Sequence, residues 1–168
     1  MTHILQIKAQ ALTQTAFEPY GEVIELSKQN EILSINAGRT TRHQALAHVD
    51  ATDEAGEPII SLFKTELTQL PISINMMERH PLGSQAFIPL QPATYLVVVA
   101  PPGEFQLSQL QAFVGHGSQG INYCKGTWHH PHLVLSGSGE FVVIDRLGPE
   151  VNCDEVAFPD GQEVMIDA

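Results

Sequence analysis

Cysteine is scarce in this chain. Only Cys124 and Cys153 carry thiols, and with no C-x-x-C pair the ligands for a zinc ribbon or a dithiol redox centre are missing. Both are read as reduced, small hydrophobic residues. Cations are scarce as well: eight Lys plus Arg against 19 Asp plus Glu leave a formal net charge of −11. Such a field disfavours nucleic-acid phosphates and anionic lipid as partners. Long apolar runs are missing, none approaching the about 20 residues of a membrane helix. The opening "MTHILQIKAQALTQ" has no apolar core of a secretory signal, so a soluble, cytoplasmic protein with no membrane partner is expected.

What remains is a turn-rich composition, with 43% hydrophobic residues, 13 Gly and 11 Pro in 168 residues. That length suits one domain, 1–168, with a core of its own. "HILQIKAQ", "EVIEL", "GEPIISLFKTE", "LPISINMMERH", "SQAFIPL", "ATYLVVVAP", "HLVLSG" and "EFVVIDR" read as short strands. Helix is confined to a capped turn in "LTQTAFEPYG" and a short piece in "LSQLQAFV". The segment "NAGRTTRHQALAHVD" and the tail through "VNCDEV" and "PDGQEVMID" read as polar connections. Frequent short strands between Gly/Pro turns predict an all-β fold, a double-sheet β-barrel of jelly-roll type whose lined interior holds the ligand.

Two stretches can furnish that interior. In "MMERHPLGSQAFIPL", Glu78 and His80 lie two apart and share a strand face while Arg79 points the other way. Gln85 sits on the strand that returns after Pro81 to Gly83. In "NYCKGTWHHPHL", His129 offers a second imidazole. Glu78, His80, Gln85 and His129 together make a metal-ligand set of imidazole, carboxylate and amide oxygen. It suits a borderline divalent ion, nickel before manganese or iron, and calls for no organic cofactor. His130 alternates away from His129 and is expected to bond a backbone carbonyl, whereas Trp128 is expected as core or pocket wall. A small carboxylate substrate would need a counter-charge against the acidic field, and Arg42 in "RTTRH" and Lys125 in "CKGTW" are the candidates. Residues 36–38 are a candidate flap over the barrel mouth, and Asp145 with Arg146 a candidate ion pair at a strand end.

The spacing Glu78-x-His80-x4-Gln85, followed by His129, resembles the two cupin motifs. The first is usually written H-x-H-x(3,4)-E, with Glu78 here in place of the first His and Gln85 in place of the Glu. At closer range, "FEPYGEVIE", "NAGRTTRH", "ERHPLGSQAFIPL", "GINYCKGTWHHP", "FVVIDR" and "NCDEV" resemble the ureidoglycolate lyase family, in the same order over nearly the whole chain. The resemblance implies a cupin-like barrel, a homodimer, and a carbon–nitrogen lyase of allantoin degradation that releases urea from (S)-ureidoglycolate and leaves glyoxylate. His80 and His129 are then the acid–base candidates, with Glu78 as the third titratable group and Arg42, Gln85, Lys125 and Trp128 toward the substrate. The alternatives are a hydrolase releasing ammonia, a metal-dependent cupin acting on another acid, and a non-catalytic cupin that binds a small carboxylate.

Overall fold

The run "ATYLVVVA" explains the layering. A computed structural model describes residues 3–27, 30–160 and 162–168, and in it this run is the strand Ala93–Ala100, buried on both faces. Tyr95, Val97 and Val99 enter one core with Phe17, Phe87, Phe113, Tyr123, Phe141 and Val143. Leu96, Val98 and Ala100 enter a second core with Met77, Trp128, Val164 and Ile166. Strands covered on both sides lose the apolar–polar alternation of a half-exposed sheet. Each fully buried large side chain in these layers contributes about 1.5–3 kcal/mol.

The seven-stranded sheet around this strand runs Asp154–Ala157, Met76–Arg79, Trp128–His129, Ala93–Ala100, Gln111–Gly117 and Gln10–Ala11, with Leu133–Ser136 also paired to Ala93–Ala100. A five-stranded sheet runs Gly21–Ile24, Gly120–Tyr123, Gln85–Pro89, Glu140–Leu147 and Glu57–Lys64, the last at its edge. The first core lies between these two sheets. A three-stranded sheet of His3–Lys8, Gln162–Asp167 and Ile72–Ile74 covers the outer face of the larger sheet and closes the second core. The hairpin Glu31–Ile35 with Thr40–Gln44 forms a sheet of its own.

The all-β expectation is met by a cupin-like sandwich, with its strands divided among four sheets. Among the described residues, helix is limited to Gln14–Phe17, capped by Thr13 accepting from the Ala16 N–H at 3.2 Å, and two 3₁₀ turns. Two expectations change. The polar tail is strand, because Val164 and Ile166 alternate into the second core while their neighbours face out. The segment around residues 36–38 is the tip of a regular antiparallel hairpin, with Ile35 opposite Thr40. Among the described residues no helix is long and apolar enough to cross a membrane.

Candidate active site

A cavity of about 400 Å³ opens where the two large sheets diverge, lined by Glu78, His80, Gln85, Tyr123, His129 and His132, with Phe63, Thr65, Phe87, His130 and Pro131 completing the wall. Glu78 comes from the strand Met76–Arg79 and is paired in register with His129 on the neighbouring strand. His80 follows immediately. The turn Cys124–Thr127 delivers His129: Gly126 adopts φ +80°, a left-handed conformation that glycine takes without Cβ strain, and its N–H donates to the His80 carbonyl at 2.9 Å. The two-residue strand that follows sends its side chains to opposite faces. His129 therefore enters the cavity, while Trp128 enters the second core.

The imidazoles are oriented by carbonyl groups. His80 Nδ1 lies 2.7 Å from the Asn152 carbonyl and His129 Nδ1 lies 3.0 Å from the Thr127 carbonyl. A carbonyl oxygen only accepts, so Nδ1 is the protonated nitrogen in each neutral ring and Nε2 presents a lone pair. Both Nε2 atoms are buried without a hydrogen-bond partner. Tyr123 stacks on His129 at 4.3 Å and 12°, holding the ring plane, and the two imidazole centroids are 5.1 Å apart.

Glu78 Oε1 lies 3.5 Å from His129 Nε2. That distance is an electrostatic contact rather than a formed hydrogen bond. The Glu78 carboxyl is held below its usual range by His129 first, which acts this way when its Nε2 carries a proton toward the carboxylate, with partial burial opposing and positive charge on His129, His80 and His130 adding to the pull. Its other oxygen lies 4.0 Å from the Cys153 thiol. Both cysteines are free thiols and exposed.

One donor atom each from Glu78, His80 and His129 fall within 4.8 Å of one another. Inward lone pairs, with the other ring nitrogen donated to a backbone oxygen, are what a histidine ligand to a metal requires. The three residues fit a divalent ion on that ground. Gln85, buried at the start of Gln85–Pro89, faces the same cavity.

The remaining predicted residues are placed elsewhere. Lys125 is committed to Asp53 at 2.6 Å and Asp50 at 3.0 Å. Arg42 sits exposed on the hairpin strand Thr40–Gln44. Trp128 donates from Nε1 to the Gly103 carbonyl at 3.0 Å, packs against Phe105, and carries Arg79 over its ring at 4.5 Å. Among the described residues, then, no Lys or Arg lines the cavity, and the counter-charge expected from Lys125 is withdrawn by its two carboxylate partners. Trp128 is core rather than pocket wall, because strand alternation turns it away from His129.

Among the lining residues not nominated from the sequence are His130, His132 and Tyr123. His130 does bond a backbone carbonyl, that of Pro131 at 2.8 Å, yet it also borders the cavity, and burial lowers its pKa. His132 is stacked on Phe87 at 4.7 Å and 3°, with Tyr95 and Phe141 around it. Both of its ring nitrogens are buried and unpartnered. Pro131 interrupts the strand, so no parity count could have placed it. Tyr123 is visible in the sequence only as one aromatic residue among several.

A family model described as ureidoglycolate lyase matches residues 4–166. A Burkholderia mallei protein named ureidoglycolate lyase is 44% identical over 162 residues, covering 96% of this chain and 95% of that protein. Proteins of the same name from Azotobacter vinelandii, 44% identical over 95% of this chain and 96% of the relative, and Pseudomonas syringae pv. tomato, 46% identical over 93% and 92%, are similar to it as well.

Proposed function

The chain belongs to the ureidoglycolate lyase family, and from that premise we propose that it cleaves (S)-ureidoglycolate to glyoxylate and urea, as one catalytic unit working in the cytoplasm. The observation that carries this reading is the pair of buried, unpartnered Nε2 atoms of His80 and His129, aimed into the cavity beside the Glu78 carboxylate.

Ureidoglycolate carries a hydroxyl, a carboxylate and a ureido nitrogen on one carbon. Removing the hydroxyl proton lets the oxygen electron pair form the carbonyl of glyoxylate as the C–N bond breaks. The departing nitrogen takes a proton and leaves as urea. The net change moves one proton from oxygen to nitrogen, so a single imidazole can accept it and return it. His129 Nε2 has the lone pair for the first transfer, and Glu78 at 3.5 Å stabilises the imidazolium that forms. His80 is the second imidazole facing the same space. Glu78, His80 and His129 would hold a divalent ion, nickel before manganese or iron, and when bound it would acidify the hydroxyl and anchor the substrate carboxylate. Of the two roles considered for Gln85, ligand and substrate contact, we assign the second.

We also propose a homodimer. The edge strand Glu57–Lys64 leaves Ile60 76% and Leu62 71% exposed, an apolar edge that soluble proteins rarely leave bare. Phe63, on the opposite face of this strand, borders the cavity and packs on Phe87, so a partner paired along this edge would stand beside the cavity. The hairpin that carries Arg42 is then available to a second subunit's cavity, which needs a cation for the carboxylate.

The test is the release of urea, ammonia and glyoxylate from racemic ureidoglycolate, measured separately for chelator-treated protein, for the same protein resupplied with nickel or manganese, and for His129→Ala. Urea and glyoxylate in equal amounts, gained with metal and lost in the variant, are expected. Ammonia without urea would overturn the lyase assignment in favour of hydrolysis.

A further inference from the structure

Asp145 does not form the ion pair expected from "FVVIDR". Arg146 turns the other way, its Nε and Nη2 donating to the Asp53 carbonyl at 3.1 and 2.8 Å and its Nη2 also to that of Glu54 at 3.2 Å. Asp145 shares its strand face with Phe141 and Val143, both fully buried in the first core. The antiparallel register, with Ala86 opposite Ile144, brings Gln85 alongside it. Gln85 Nε2 donates to Asp145 Oδ2 at 3.4 Å, and Asp145 Oδ1 is buried without a partner. Among the described residues, Gln85 is the one side-chain hydrogen-bond partner of this carboxylate.

A carboxylate only accepts hydrogen bonds. The Gln85 amide must therefore turn its NH₂ toward Asp145, since the flipped amide would set a carbonyl oxygen against a carboxylate oxygen. Even at a long 3.4 Å, this fixes polarity. Gln85 Oε1 is then the amide atom not engaged by Asp145, on a side chain that lines the cavity.

We propose that Asp145 is a positioning residue for substrate specificity: it locks the Gln85 amide so that Oε1 accepts an N–H of the ureido group. This rests on the lyase reading for its substrate. The ureido end of that substrate is rich in N–H donors, and the histidine end of the cavity offers imidazole lone pairs to the hydroxyl. An acceptor locked at Gln85 selects a ureido leaving group over an alkoxy or acyloxy oxygen, neither of which carries a hydrogen to donate there.

A polarity swap tests this. Asp145→Asn frees the amide to turn, and Gln85→Glu sets two carboxylates face to face. The double variant, Asp145→Asn with Gln85→Glu, has the Asn NH₂ donating to the new carboxylate and again leaves an acceptor facing the cavity. The probes are ureidoacetate, which has the ureido and carboxylate groups but no hydroxyl to eliminate, and glycolate, which has no ureido group. Binding is measured by calorimetry, alongside kcat and KM for ureidoglycolate. Each single variant is expected to weaken ureidoacetate about tenfold or more and to raise KM more than it lowers kcat, with glycolate affinity unchanged in Asp145→Asn and the double variant returning most of the loss.

Unaltered ureidoacetate binding in Asp145→Asn, or a double variant no better than either single one, would overturn the proposal, as would wild-type protein that does not bind ureidoacetate. Should Asp145→Asn not fold, Asp145→Ala, which also leaves the Gln85 amide free to turn, decides: selective loss of ureidoacetate over glycolate supports the lock, and no loss or equal loss of both refutes it. Wild-type protein that binds ureidoacetate with the swap pattern yet releases no urea would support the amide lock and sink the lyase reading instead.

Discussion

Replacing His132 by Phe should make the fold less sensitive to acid. The imidazole is packed among Phe87, Tyr95 and Phe141 at centroid distances of 4.7, 4.8 and 4.4 Å. Burial first, and then the neighbouring His129, push its pKa down from 6.5 to about 3. Between those values the unfolded chain carries a proton on this ring that the folded chain refuses. The unfolded state binds more protons, so stability rises with pH across the window and is lost as the pH falls from 6.5 toward 3. At about pH 5 the difference is roughly 1.5 pH units at about 1.36 kcal/mol each, about 2 kcal/mol, and at about pH 7.5 it is close to zero. A phenyl ring in this place would keep the stacking without a titrating group. Guanidinium chloride unfolding followed by Trp128 fluorescence, with chelator present, should show the wild type losing about 2 kcal/mol more than His132→Phe between those two pH values. Other acid-sensitive groups, including the depressed Glu78 carboxyl, are common to both proteins and cancel in the comparison. Parallel pH dependences for the two proteins would refute the reasoning.

The placement of Lys125 separates a clamp from a substrate contact. Lys125→Ala should cost at most about 1 kcal/mol in thermal stability, since its pairs with Asp50 and Asp53 are partly exposed. KM should stay within about threefold of wild type, whereas a rise of about tenfold would restore Lys125 to the substrate carboxylate. For the edge strand, wild-type protein should run as the proposed dimer in light-scattering chromatography, and Ile60→Lys combined with Leu62→Lys should convert it to a monomer while circular dichroism stays unchanged. A dimer that survives both charges would move the interface elsewhere.

The chain's own periodicity carried much of the site. Glu78 on its strand and His80 just past the strand's end do share the cavity, and Arg79 does face away to Asp154 and Trp128. The same rule, applied to "EFVVIDR", places Asp145 with Phe141 and Val143 on the inner face. The sequence reading instead paired it with its neighbour Arg146, although adjacent strand residues point apart. His132 was illegible for a different reason: a proline stands between it and the strand Trp128–His129, so its position depends on the path of the turn. Lys125 and Arg42 were nominated by charge alone, and charge does not say which carboxylates a loop will bring within reach.

Strand content, the scarcity of helix, the family and the two histidine-bearing stretches follow from local pattern, because alternation, turn residues and motif order are properties of the chain itself. Only the tertiary structure decided that Ala93–Ala100 is covered on both faces, that the C-terminal tail closes the second core, and that Gln85 meets Asp145 across two strands. Those outcomes depend on which sheets face one another and in what register, and the energy that sets them lies in contacts between segments far apart in sequence. A lone pair without a partner, as on His80 and His129, is likewise invisible until every neighbour is in place.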